Sequence, residues 1–538
     1  MRKVGQLLTF GLILAMMPSS IAQAQFGFGL FGPSRSPNNP SGGRNSVGQT
    51  TRTDPNERSR PNGVNPFGIF QTILEAQPNQ GPRQLSPRED FEQAFYGGTP
   101  AQAVEKFEQL QRRTFADQLE IQIPDGFLSA ESIARQLGIL SRLTGRRTAV
   151  LYLANLERTD QIGRMLVLPQ TQPLAGTGTP VASRGTIPFS LAQSTQSPVI
   201  RQIAADVNPK QFHTVAAQFR RQISDPTLVE SLGYRSSAQQ LYGWLVAPLA
   251  SQLRAHQIDT VLFSLDDGLR SLPVAALHDG QRFLIETHSV ALIPSFGLTD
   301  SGLRSHLIQK PLLAMGISKE HQGLSALPAV PLELSALSQR WQAHQAITLD
   351  ESSTVKNLRD LNRQRHYGVI HLATHAQFNP GDINNSYIQL WNERLKLKKL
   401  NQLARELSWG QAPAVELLVM SACETALGSR EAELGFAGAA LLAEVKSTAA
   451  SLWRVNDQGT LGLMNEFYAA LQTSPTKAEA LRTAQLAMLR EEIFIQAGQL
   501  RSRGTQGMDL PLEAGLAGDL NFRHPYYWSG YTIVGNWN

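Results

Sequence analysis

From about Leu128 onward the chain predicts an α/β fold, a mostly parallel sheet flanked by helices. Three observations carry this. Short, almost purely apolar runs recur, such as RTAVLYL (147–153), DTVLFSL (259–265) and LLAMG (312–316). They are bounded by polar or turn residues, the pattern of strands buried on both faces. Stretches of helical period lie between several of them, including Val330–Gln342 and Thr476–Arg490, where Thr476 stands as the N-cap and Ala480, Ala484 and Ala487 share one stripe. Strands that alternate with helices must cross over, and a parallel sheet covered on both sides results. The chain has 538 residues, 41% of them apolar and 17% charged, so two or three domains with a large core are expected.

Taken in order, the N-terminus reads as a secretory signal. Arg2 and Lys3 precede the apolar run LLTFGLILAMM (7–17), and Ala22-Gln23-Ala24 ends it with the small-x-small pattern of a cleavage site. The run is shorter than the ~20 apolar residues that a spanning helix needs. Residues 1–24 are therefore expected to be removed, leaving a periplasmic or extracellular chain with no integral membrane span. An uncleaved anchor is the alternative. Net charge is +5, and two of those charges are Arg2 and Lys3. So weak and dispersed a positive balance excludes an electrostatic footprint for nucleic acid.

Residues 25–88 are rich in Pro, Asn, Gly, Ser and Arg without apolar periodicity, as expected of a disordered linker. Residues 89–127 turn helical, with Phe91, Ala94, Ala101, Val104, Phe107 and Leu110 mostly three apart, and are expected to form an isolated helical cap. Further strands are expected at Ile162–Leu168, Ser289–Ile293, Val369–Ala373, Val415–Ser421 and Thr448–Val455.

Two strand ends carry reactive residue types. Val369–Ala373 runs into Thr374-His375-Ala376, and Val415–Ser421 runs into Ala422-Cys423-Glu424. In open parallel sheets functional groups collect at the carboxyl ends of strands. Cys423 is the single cysteine, so no internal disulfide can form in an oxidising compartment. A free thiol has a pKa of about 8.5 and needs a neighbouring base to supply thiolate, and His suits that role. His375 precedes Cys423 by 48 residues, close to the caspase-type spacing. Backbone N–H groups of Ala376 and Cys423 are the candidates for an oxyanion hole. His371 and His375 also form H-x-x-x-H, but the segment reads as a strand and lacks the metalloprotease Glu. No metal and no cofactor is expected, and His371 is expected to be a hydrogen-bonded structural histidine.

The segments VIHLATHA (369–376), VMSACETALG (419–428), AELGFAGAAL (432–441) and SLWRVNDQGT (451–460) resemble the CHAT domain, a bacterial family of caspase-like peptidases. The resemblance extends upstream to LDDGLRSLPVAALHDG (265–280) and FLIETHSVALIPS (283–295), and downstream to HPYYWSGYTIVG (524–535). It implies a caspase-like sandwich: a degenerate, non-catalytic unit at 128–305, followed by a catalytic unit at 306–538 with His375 and Cys423 as the dyad. It implies a cysteine endopeptidase acting on a protein or peptide. Related peptidases often carry Gly after the catalytic His, where this chain has Ala376. Repeats of the tetratricopeptide kind, common in the family, are not evident here, and an activating partner stays unspecified. The stretch LWRVND resembles that of separases, relatives that cut after arginine. That makes Asp457 and Trp453 candidates for a pocket accepting Arg or Lys, with Asp457 as a turn or helix cap the alternative. Two other readings stay open: a catalytically silent interaction or regulatory module, and another acyl-transferring thiol enzyme.

Overall fold

Ser86 and Thr99 open the described part of the chain with two matched helix starts. In the computed structural model the described residues are 85–538, apart from 124–125, 127, 171–196, 205–206, 208, 304–306, 426, 428, 503–506 and 511–517. The expected signal peptide, and all of the linker but its last few residues, lie outside them. Ser86 accepts from the Glu89 N–H while Glu89 accepts from the Ser86 N–H, and Thr99 and Gln102 repeat the exchange. A proline follows each cap, with φ already helical. The predicted cap is thus two helices, α1 (Pro87–Gly97) and α2 (Pro100–Leu119). Phe91, Phe95, Phe107 and Phe115 are buried and join the common core. Arg88 of α1 grips the buried Asp266 with both terminal guanidinium nitrogens, Nη2 at 2.9 Å.

Among the described residues thirteen strands form one sheet. Its first block comprises β1 (Thr148–Leu156), β2 (Gln161–Val167), β3 (Val199–Ile203), β4 (Thr260–Leu265) and β5 (Ser289–Leu292). The second block comprises β6 (Leu312–Gly316), β7 (Gln345–Leu349), β8 (Val369–Phe378), β9 (Tyr387–Gln389), β10 (Arg394–Lys396), β11 (Leu417–Thr425) and β12 (Ser447–Ser451). A separate four-stranded sheet holds β13 (Ile493–Gln496), β14 (Gln499–Ser502), β15 (Met508–Asp509) and β16 (Leu520–Asn521). The C-terminal strand β17 (Tyr531–Gly535) returns to the large sheet between β12 and β5.

Pairing is parallel along β7-β6-β8-β11-β12 and again along β17-β5-β4-β1. The seam between β12 and β17 is antiparallel. The two parallel blocks therefore run in opposite directions, and their carboxyl ends open at opposite edges of the sheet. β4, β6, β12 and β17 are buried throughout, as expected of strands covered on both faces. The α/β expectation is met, with β6 matching its predicted span to the residue.

Four helices of the second block pack on the large sheet: α3 (Val330–Arg340), α4 (Arg430–Ala437), α5 (Asp457–Ala470) and α6 (Lys477–Leu489). Thr476 caps α6 as expected, accepting from the Glu479 N–H at 3.1 Å. Among the described residues no helix is long and apolar enough to cross a membrane.

Two expectations need correcting. The strand expected at Thr448–Val455 is β12, which stops at Ser451, so Trp453 lies beyond it. β8 and β11 do not stop at Ala373 and Ser421: they continue to Phe378 and Thr425, so His375 and Cys423 lie within strands rather than just past their ends. The extension follows from pairing that the local pattern does not encode. Past Ala373 the outer edge of β8 is taken over by β9, which pairs Ala376 with Ile388 and Gln377 with Tyr387.

Candidate active site

β8 and β11 are direct neighbours and parallel, as the sequence reading required. Their register runs from Val369 opposite Leu417 to Leu372 opposite Met420, then shifts. Beyond the shift, His375 lies opposite Ala422 and Ala376 opposite Cys423. The backbones of His375 and Cys423 are thus one ladder position apart on adjacent strands. The side chain of Cys423 lies outside the described residues, so its part in the site is stated from the backbone.

His375 is buried, and its Nε2 lies 2.9 Å from the carbonyl oxygen of Ser325. A carbonyl can only accept, so Nε2 carries the proton and Nδ1 keeps the lone pair. Burial holds the imidazole pKa below its ordinary value; the Ser325 carbonyl and the Glu424 charge oppose this, and the positive charge of Arg454 adds to it. The group is therefore a neutral base at neutral pH.

Ser325 belongs to the loop between β6 and α3, and that loop is held at several points. Asp350 accepts from the Ser318 N–H at 2.7 Å, and the Leu327 N–H donates to the Ser318 carbonyl at 2.9 Å. His321 stacks on Trp391 with ring centroids 4.1 Å apart. Arg454 donates through Nη2 to the Ser325 hydroxyl. Sequence reasoning missed Ser325, because a backbone carbonyl leaves no residue-type signal.

Ala376 is buried between Cys423 on one side and Ile388 on the other. Trp453 is also buried; its indole N–H donates to the Tyr526 carbonyl at 3.0 Å, and Gly530 packs against its ring, where an added Cβ would come within 2.9 Å. Asp457 is half-buried at the first position of α5. The helix cap is its neighbour Asn456, which accepts from the Gly459 N–H at 3.0 Å. The Asp457 carboxylate instead accepts from the Ala329 N–H at 2.6 Å, at the start of α3. Burial pushes this carboxyl up to about 7 and the Glu333 charge adds to that, while the Ala329 N–H and Arg454 work against it.

A family model described as the CHAT domain matches residues 235–536, more than half of the chain. The chain belongs to the CHAT domain family. The match opens at the helix Tyr234–Leu245 and closes just past β17, so β1 to β3 and the helical cap precede the matched CHAT segment. No curated protein matches the chain.

Among solved structures, the separase of the Saccharomyces cerevisiae separase–securin complex is 7% identical at a TM-score of 0.41, over 81% of this chain and 34% of that one. The CHAT protein thus spans about a third of that separase. The Porphyromonas gingivalis RgpB pro- and mature-domain complex is 10% identical at a TM-score of 0.33, covering 61% and 76%. The Arg-specific cysteine proteinase gingipain R is 9% identical at 0.32, covering 61% and 75%. At these scores the likenesses carry no weight for the site.

Beneath the two strands, the CHAT domain holds a polar network. His371 is fully buried in β8, with Nδ1 2.8 Å from the Tyr468 hydroxyl and Nε2 3.0 Å from Glu333 Oε1. It is a hydrogen-bonded histidine inside the strand, as the sequence suggested, but its partners were not foreseen. Glu333 sits on α3 and Tyr468 on α5, so one imidazole ties both helices to the strand that carries His375. The signal for Glu333 was present: it lies three residues after Val330 and four before Leu337, on the apolar stripe of its helix.

Proposed function

We propose that this CHAT domain is a cysteine endopeptidase, with Cys423 as nucleophile and His375 as base and then acid. The observation that carries the reading is the His375–Ser325 hydrogen bond, made by a neutral imidazole on the strand beside the one that carries Cys423. With Nε2 committed to a carbonyl, Nδ1 is the nitrogen available to take the thiol proton. The thiolate then attacks the scissile carbonyl carbon, and the oxyanion is received by the N–H groups of Cys423 and Ala376. The imidazolium passes its proton to the leaving amine, leaving a thioester. Water, deprotonated by the same Nδ1, hydrolyses the thioester and restores the thiol. The Ser325 carbonyl stabilises the imidazolium that forms twice in each cycle. Hydrolysis of a denatured protein substrate should fall by several orders of magnitude in Cys423→Ala and in His375→Ala. Folded variants that match the wild type would leave the silent interaction module as the better reading.

Asp457 gives the site its preference in this proposal, with Trp453 as the second candidate for the pocket. An ionised Asp457 would pair with an Arg or Lys side chain just before the scissile bond. Because its pKa lies at about 7, that preference should strengthen as pH rises through neutrality. We place the enzyme outside the cytoplasm, processed after Ala24. We divide it into a degenerate unit at 128–305 and a catalytic unit at 306–538. The reversal of strand direction at the β12–β17 seam supports two blocks, although β17 itself comes from the end of the chain. Intact mass of the exported protein, beside its Cys423→Ala form, would report signal removal and any self-cleavage together.

A further inference from the structure

The closing motif HPYYWSGY (524–531) and the buried His371 are not used by the chemistry above, yet both reach the same point of the sheet. Between Met420 and Ala422 the register of β11 against β8 shifts by one residue, so Ala373 and Thr374 of β8 face Ser421 alone. This bulge stands two residues before Cys423 and immediately before His375. Bulges of this kind re-aim the residues that follow them.

Ser421 is held there from two sides. Its carbonyl accepts from the Tyr531 hydroxyl at 2.5 Å, and its own hydroxyl donates to Glu333 Oε2 at 3.4 Å. Tyr531 is itself within 2.8 Å of the Thr460 hydroxyl on α5, and Glu333 faces His371. Ser421, Glu333, His371 and Tyr531 are all buried. A polar cluster of this kind often costs more to bury than an apolar core of the same shape, and it fixes a geometry that an apolar core would leave free.

We propose that Tyr531, backed by Thr460 and by the Glu333–His371 pair, is a positioning residue that sets the β8–β11 bulge and with it the approach of His375 to Cys423. The proposal rests on the dyad reading. Tyr531 touches no reacting atom; it acts on the backbone from which Cys423 projects. A misplacement of about 1 Å between reacting groups can cost ~100-fold in rate, so a partial relaxation of the bulge should be readable.

The test needs no substrate, because the chain has one cysteine and iodoacetamide reports on it alone. The rate of alkylation is followed against pH for the wild type, Tyr531→Phe, His375→Ala and Tyr152→Phe. The last removes an equally buried hydroxyl, bonded to Glu108 at 2.7 Å in the first block, and controls for general loosening. Tyr531→Phe should slow alkylation at neutral pH by about 10-fold and move the profile toward that of a free thiol at about 8.5, while Tyr152→Phe leaves the profile in place. A Tyr531→Phe profile that coincides with the wild type would overturn the proposal, as would an equal displacement by Tyr152→Phe. Should Tyr531→Phe not fold, Thr460→Val, which removes the second partner of the hydroxyl, carries the same expectation. If His375→Ala leaves the profile unmoved, the dyad reading itself fails. If His375→Ala moves it and Tyr531→Phe does not, only the positioning role fails.

Discussion

Replacing Asp457 by Asn isolates one ionisation whose sign and size follow from its surroundings. The carboxyl titrates at about 7 in the folded chain, against 3.8 for the free side chain. Between those values the folded state holds a proton that the unfolded state has released, so stability falls as pH rises through the window and levels off above the folded pKa. A shift of this size corresponds to a ceiling of about 4 kcal/mol at 1.36 kcal/mol per unit. Asp457 is half-buried, and solvent screening roughly halves that figure, to about 2 kcal/mol. The amide of Asn keeps an oxygen for the Ala329 N–H and cannot ionise. Urea unfolding of wild type and Asp457→Asn, at intervals from about pH 4 to about pH 8, should show the variant gaining about 2 kcal/mol on the wild type across the window, with equal m-values. Other titrating groups cancel in the difference. A stability difference that stays constant with pH would refute the reasoning, because it would mean that Asp457 ionises in the fold as it does in water.

Arg454→Ala removes a cation that depresses His375, so the acid limb of any His375-dependent rate should move to higher pH; a limb that stays in place or moves to lower pH would contradict the assignment. Asp457→Asn should also abolish the preference for Arg over Ala in a panel of fluorogenic peptides while leaving turnover of the Ala peptide little changed; an unaltered preference removes the acidic pocket. Arg88→Ala takes the bidentate partner from the buried Asp266, which keeps the Asn155 N–H and the nearby Arg270 charge, and should cost about 2–3 kcal/mol in urea unfolding. A loss under about 1 kcal/mol, the range of exposed ion pairs, would show that the pair is solvated.

How much of this was legible beforehand depended on where each element's information lies. β6 could be read to the residue because LLAMG is a short apolar run that opens after Pro311 and is punctuated by Gly316. Thr476 could be read because a helix cap is a local interaction between a hydroxyl and a nearby N–H. The carboxyl halves of β8 and β11 were misjudged because Thr374, His375, Gln377 and Glu424 are polar, and only pairing with β9 and with each other keeps them extended. The place of β17 between β12 and β5 is a contact over long sequence separation, and no window of sequence records it. At the site, His375, Cys423 and Asp457 announced themselves as side chains. The anchor on His375 is a main-chain oxygen of a serine fifty residues earlier, and the hold on Ser421 comes from Tyr531, 110 residues later. Chemistry done by backbone groups, or transmitted through them, has to be seen in the fold.

The claim on which the rest depends is that the His375 imidazole activates the Cys423 thiol. Its most direct test is the pH at which that single thiol becomes reactive toward iodoacetamide in the wild type and in His375→Ala. An activated pair predicts rapid wild-type alkylation well below the ordinary thiol range, with the His375→Ala profile displaced up to about 8.5. Two superimposable profiles, both centred on the ordinary thiol value, would contradict it.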